Sequence, residues 1–336
     1  MSATRLIHVD DSLPGISRER SGTGWRYRDA KGRIIRERHE IDRLNAIALP
    51  PAYEDAWFCP APNGHILATG YDARGRKQYR YHPQFRMARE ADKYDRCAAF
   101  GHALPLLRAR LEGDLNRRTL CSERVIAAVV RLLDLAALRV GNEQYAAANK
   151  SFGATTLRQR HARLSGKTLR LRYVAKGGTK REVAISDRGL STLVRRLQDL
   201  PGQNLFQYVE DDGFCAVGSD DVNAYIREAM GDAFSAKHFR TWSASVEAFA
   251  FLYDALEPPT LKAMLEHVAD RLGNTPAIAR KAYVHPAMLA AAQTRDGFAA
   301  AAGKLPRATR YLSRYERGFL TYLEQAPAAA VLLQSA

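Results

Sequence analysis

Long apolar runs are missing from this 336-residue chain: none reaches the roughly 18 consecutive apolar residues that a membrane-spanning helix needs. The opening "MSATRLIHVDDSLPG" carries acids where a signal peptide needs its apolar stretch, so a cytosolic location is expected. Cysteine is scarce. Cys59, Cys97, Cys121 and Cys215 fall in no C-x-x-C spacing, which offers neither a zinc site nor a disulfide framework and suits reduced thiols. H-E-x-x-H is absent, and "GKT" at 166–168 is no P-loop, because His161 stands where the first glycine belongs and a strand pattern follows. The acidic pairs Asp10–Asp11, Asp211–Asp212 and Asp220–Asp221 sit in polar loops or helix starts. Capping and solvation account for them without a two-metal site. Neither an internal repeat nor a low-complexity tract is found, and no cofactor or metal is expected.

Negative charge is also in deficit. Lys and Arg total 51 against 36 Asp and Glu, a formal net charge of +15 and a pI near 9.8. A field of that sign draws polyanions, with nucleic acid the leading partner and an anionic membrane surface the second. The 46% hydrophobic content and the length suffice for two packed domains.

The first 90 residues hold short alternating stretches broken by turn signals, among them Asn63–Gly64 and Arg74–Gly75. They read as a small β-rich domain, residues 1–90, with one helix near 39–46. Residues 91–336 read as a larger, mainly helical domain, giving an α+β fold. Ser122 and Glu123 open a buried helix over 122–138 bearing Val125, Ile126, Val129, Val130, Leu132 and Leu133. Between 160 and 186, Leu169, Leu171 and Tyr173 alternate with Thr168, Arg170 and Arg172. Turns at Ser165–Gly166 and Gly177–Gly178 make this a small antiparallel sheet inside the helical domain. Further helices are expected in "SDDVNAYIREAM", "SASVEAFAFLYDAL", "PPTLKAMLEHVADRL" and "RYLSRYERGFLTYLEQ".

Residues 73–89, "ARGRKQYRYHPQFRMAR", carry Arg74, Arg76, Lys77, Arg80, Arg86 and Arg89 with no acid among them. As a strand, the stretch sets Gln78 and Arg80 on one face and Lys77, Tyr79 and Tyr81 on the other. Cations there can meet phosphates while an amide reaches base edges. A solvated basic strand is the plainer alternative.

Four scattered groups look structural one at a time: Arg139 at a helix end, Lys176 on a hairpin tip, Arg240 in "KHFRTW", and Asn274 with Tyr283 in "GNTPAIARKAYVHP". Tyr283 alone reads as a core plug with a wet hydroxyl. Together, in this order, they meet the needs of phosphodiester transfer to a tyrosine. Attack on phosphorus builds charge on the non-bridging oxygens, which guanidinium forks hold bidentately. The departing 5′ oxygen needs a proton, which an ammonium on a tight turn can give.

The blocks "PPAYEDAWFCPAPNGHILATGYDARGRKQYRYHPQFR", "LRVGNEQYAAANKSFGATTLR", "KHFRTW" and "GNTPAIARKAY" resemble type IB DNA topoisomerases of the compact bacterial and poxvirus-like branch, over roughly residues 20–325. That resemblance implies a monomer clamping duplex DNA between a small N-terminal β domain and a helical catalytic domain, without metal or ATP. By motif, Tyr283 would be the nucleophile of a 3′-phosphotyrosyl link, and Arg139, Arg240 and Asn274 would bind the scissile phosphate. Lys176 would be the general acid, with Lys180 the other candidate. "GRKQYRY" would be the major-groove element, giving Arg76, Lys77, Gln78, Tyr79, Arg80 and Tyr81 as DNA contacts. Lys237 and Arg240 form the K-x-x-R pattern of topoisomerases rather than the H-x-x-R usual in tyrosine recombinases. Asn274 replaces the histidine of viral and eukaryotic relatives; an amide donates to a phosphate oxygen but carries no charge. A tyrosine recombinase and a non-catalytic, basic DNA-coating protein are the competing readings.

Overall fold

The computed structural model of the chain describes residues 5–210, 213–294, 298 and 302–334; the pair Asp211–Asp212 lies outside them. Two compact units divide the chain, Met1–Asp92 and Lys93–Ala336.

In the first unit, β1 (Ile16–Ser21), β2 (Gly24–Arg28), β3 (Glu54–Phe58), β4 (Ile66–Tyr71) and β5 (Lys77–Tyr81) form one antiparallel sheet in the order β2-β1-β3-β4-β5. Helix α1 (Arg38–Ala46) adds Leu44 to a core of Ile16, Tyr27, Leu49, Phe58 and Ala68. Strands β4 and β5 are joined by a turn in which Gly75 takes φ +67°. The basic stretch 73–89 is strand only as far as Tyr81. Pro83 starts a helix there, its fixed φ suiting the first turn, and His82 Nδ1 accepts from the Gln84 N–H at 3.2 Å. Arg86 and Arg89 therefore lie on α2 (Pro83–Leu115), which runs across the division between the units.

The second unit is mainly helical. After α2 come α3 (Ser122–Ala136), α4 (Glu143–Asn149), β6 (Ala162–Ser165), β7 (Thr168–Val174), β8 (Lys180–Ser186), α5 (Arg188–Gln198), β9 (Gln207–Glu210) and β10 (Gly213–Ala216). Then follow α6 (Ser219–Met230), α7 (Lys237–Asp254), α8 (Leu261–Leu272), α9 (Pro276–Ala282), α10 (Pro286–Ala291) and the helices Arg314–Gln325 and Ala329–Gln334. Val125, Val129, Val130, Leu132 and Leu133 make α3 a central element of the core; truncating Leu133 to alanine should cost roughly 2–5 kcal/mol. Sheet β6-β7-β8 buries Leu169, Leu171 and Tyr173 and turns Arg170 and Arg172 outward, the alternation expected from the sequence. The β9–β10 hairpin was not expected. Its strands are four residues each and leave Val209 and Phe214 exposed, so no apolar period betrays them.

Candidate active site

Two helices end in the same way. Helix α3 stops at Ala137 in the left-handed conformation (φ +48°), and α8 stops at Gly273 (φ +61°). Such turns close the last helical carbonyls and redirect the chain. The first turn delivers Leu138 to the core and Arg139 to the site; the second delivers Asn274. Arg139 is held on its backbone side, its carbonyl accepting from the Ala154 N–H at 2.8 Å. Gly153 makes this approach possible, since a Cβ there would lie 2.6 Å from Gly141 Cα and 2.7 Å from the Arg139 carbonyl oxygen.

Tyr283 caps α9. Thr275 Oγ1 accepts from the Ile278 N–H at the start of that helix, and Pro276 occupies its first turn. At its end, Lys93 Nζ donates to the Ala282 carbonyl at 2.9 Å and the Tyr283 N–H to Ala279 at 3.1 Å. The next anchor is the His285 N–H, which donates to Ser245 Oγ at 3.0 Å. The nucleophile candidate is thus fixed on both sides by backbone contacts, with its ring half-buried.

Arg240, in the first turn of α7, is 4% exposed. Its Nη1 donates to the Ala137 carbonyl and its Nη2 to the Leu272 carbonyl at 3.3 Å, so the negative ends of α3 and α8 hold the cation in place. The guanidinium carbon lies 4.6 Å from the centroid of the Tyr283 ring. Arg139 Nη2 donates to Asn274 Oδ1 at 2.8 Å. A guanidinium can only donate, so the amide atom facing it is the oxygen and Nδ2 is left as a donor. Asn274 Nδ2 and Arg240 Nε are both buried with no hydrogen-bond partner among the described residues. A buried unpaired donor costs about 1–3 kcal/mol and calls for an explanation.

Burial pushes the Tyr283 phenol up, but the nearby guanidiniums of Arg240 and Arg139 outweigh it and hold the group below its ordinary value. Burial pulls Arg240 down to about 10, which leaves it cationic at neutral pH. The site therefore makes this phenol easier to ionise than an ordinary tyrosine.

Arg139, Arg240, Asn274 and Tyr283 are brought together. Lys176 is not in contact with them: it lies exposed in the turn after β7, closed by Gly178 N–H to Ala175 at 3.1 Å, and no hydrogen bond ties it to the four among the described residues. Lys180, opposite Val174 at the start of β8, is exposed as well. Strand β5 shows a division of roles. Tyr79 and Tyr81 are exposed and stacked at 5.7 Å, whereas Lys77 pairs with Asp11 at 2.6 Å, Arg76 with Asp72 at 2.7 Å, and Gln78 Nε2 donates to Asp72 at 3.0 Å. Arg80 donates to the Ala48 carbonyl at 3.0 Å. Acids outside the basic run thus orient its cations. Tyr173 and Arg181 also lie near the site, and no motif marks either as a site residue, although alternation along β8 sets Arg181 in line with Val183 and Ile185. Among the described residues no group of three or more His, Cys, Asp or Glu could hold a metal ion.

Two family descriptions match this chain: "Bacterial DNA topoisomerase IB, N-terminal domain" over residues 24–72 and "Eukaryotic DNA topoisomerase I, catalytic core" over residues 82–295. DNA topoisomerase 1B of Acanthamoeba polyphaga mimivirus is 31% identical over 287 residues, covering 81% of this chain and 85% of the relative. Among solved structures, the XerH site-specific recombinase bound to its palindromic difH substrate is similar at 16% identity and a TM-score of 0.36, over 53% of this chain and 47% of that one. The catalytic-core match and the viral relative both span most of the chain, and it belongs to the type IB DNA topoisomerase family.

Proposed function

We propose that this protein relaxes supercoiled duplex DNA by cutting one strand, letting it swivel and resealing it. The observation that carries the reading is the half-buried Tyr283 beneath the Arg240 guanidinium, with Asn274 and Arg139 alongside. Tyr283 attacks the phosphorus, forming a 3′-phosphotyrosyl bond and expelling the 5′ oxygen. Arg139, Arg240 and the free amide donor of Asn274 hold the non-bridging oxygens as charge builds on them. Lys176 protonates the departing 5′ oxygen, reaching it from the exposed turn once DNA is bound. The covalent bond conserves the energy of the phosphodiester, so the freed 5′ hydroxyl reverses the reaction and neither ATP nor a metal ion is required. The chain works as a monomer in the cytoplasm, at the nucleoid. Its N-terminal unit contributes Tyr79 and Tyr81 to the bases and Arg76, Lys77, Gln78 and Arg80 to DNA through groups already oriented by Asp72, Asp11 and Ala48.

Supercoiled plasmid incubated with the protein in EDTA without ATP should yield a ladder of topoisomers. Tyr283→Phe should give neither ladder nor covalent adduct. Relaxation by the phenylalanine variant would refute the assignment, and DNA binding without relaxation by the native chain would favour a non-catalytic role.

A further inference from the structure

The inward face of β8 carries a charge. Arg181 lies in line with Val183 and Ile185 and is equally buried, at 8% exposure. A cation on an apolar strand face departs from the pattern of the sheet, and such departures mark functional positions. Its partner across the ladder is Tyr173, which precedes the Lys176 turn on the same hairpin. Arg181 Nη2 donates to the Ala136 carbonyl at 3.3 Å and to the Arg271 carbonyl at 2.9 Å. These carbonyls belong to the final turns of α3 and α8, and each lies three residues before a site residue, Ala136 before Arg139 and Arg271 before Asn274. The seat is shaped for a guanidinium: a Cβ on Gly273 would stand 2.0 Å from Arg181 Nη1.

We propose that Arg181 is a positioning residue of the phosphoryl-transfer site. It fastens the ends of α3 and α8 to each other and to the β7–β8 hairpin, which sets where Arg139, Asn274 and the Lys176 turn stand relative to one another. The role rests on the strand-transfer reading given above. Lysine is a poor replacement, because a compact, strongly hydrated ammonium lacks the planar guanidinium that sets Nη2 between the two carbonyls and Nη1 against Gly273. Loss of the fastening would let the reacting groups drift while leaving the DNA-binding surface intact.

A short duplex whose cleaved fragment dissociates tests this. The wild-type chain should accumulate covalent adduct on it and Tyr283→Phe should form none, a pair that checks the strand-transfer reading alone. Arg181→Lys is then measured for adduct formation at saturating DNA and for affinity by fluorescence anisotropy. Adduct formation should slow about tenfold to hundredfold, as expected for displacement of catalytic groups by an ångström or less, with affinity unchanged. Free guanidinium ion added to Arg181→Ala should restore part of the rate. A wild-type rate in Arg181→Lys would overturn the proposal, as would equal losses of rate and affinity. If Arg181→Ala loses its cooperative melting transition, the rate and affinity of the lysine variant decide. No adduct from the wild-type chain would overturn both readings together.

Discussion

Replacing Arg240 by methionine removes the charge above Tyr283 and keeps much of the side-chain volume. Unit charges separated by the 4.6 Å between the guanidinium carbon and the ring centroid interact by about 3.6 kcal/mol at an effective dielectric of about 20. Tyr283 is half-buried and its phenolate charge sits mainly on the oxygen, so solvent screening makes this an upper bound on the effect of losing the charge. The sign follows from the charge. Arg240 favours phenolate, and its loss leaves burial opposed only by Arg139, so the phenol titrates at higher pH in Arg240→Met. Carbon NMR of chain labelled at the tyrosine ring carbon bearing oxygen reads this directly, the Tyr283 resonance being the one absent from Tyr283→Phe. Its midpoint should lie below the ordinary phenol value in the native chain and move upward in the methionine variant. The pH at which adduct formation rises should move with it. An unmoved midpoint in Arg240→Met would refute the claim that this guanidinium activates the nucleophile.

Other outcomes follow from the same structure. Lys176→Ala should slow cleavage of ordinary DNA by about 100-fold or more, the usual contribution of a general acid, and should leave cleavage nearly unimpaired when sulfur replaces the departing 5′ oxygen, because a thiolate leaves without a proton; an equal defect on both substrates would rule out the acid role. Asn274→Asp should abolish adduct formation while the melting temperature stays close to native, since a carboxylate beside Arg139 would repel the phosphate that the amide donor receives; a cleaving aspartate variant would contradict the assignment. His285, buried and capping α10, is held down to about 4 by burial. Its folded value is depressed, so the unfolded chain takes up the proton first and stability is lost as pH falls from about 6.5 towards 4, by roughly 3 kcal/mol in all; His285→Asn, which can still cap the helix, should flatten that part of a denaturation-versus-pH curve. DNA affinity should fall linearly on a plot of log affinity against log salt, and Arg80→Ala should lower the slope by about one if Arg80 turns from Ala48 to a phosphate on binding.

Local pattern made some elements legible and left others hidden. The β6-β7-β8 sheet was readable because Leu169, Leu171 and Tyr173 keep strict alternation between glycine turns. The helix beginning at Pro83 is hidden because "RYHPQFRMAR" is as basic as the strand before it, and charge carries no period; proline at a first turn is the one local signal of it. Hairpin β9–β10 gave no alternation to find. Arg181 was legible in principle, as a cation at the first of three inward positions of β8, but exposure and burial cannot be told apart for a residue at the start of a strand until its neighbours are known.

The sequence by itself determined the candidate groups: a tyrosine, two arginines, an asparagine and a hairpin lysine in a fixed order on a strongly basic chain. It also determined the left-handed end of α8, through a glycine at 273, whereas the left-handed end of α3 falls on Ala137, which no local signal marks. Only the tertiary structure decided which of these groups act on one another. Arg139 meets Asn274 across 135 positions, and Arg240 meets the Ala137 carbonyl across 103. Such contacts depend on where two packed helices end in space, and no local propensity encodes that. Tertiary packing also turned Tyr283 from an ordinary amphipathic tyrosine into a phenol inclined to ionise, because a pKa is set by burial and neighbouring charge rather than by the residues beside it in the chain.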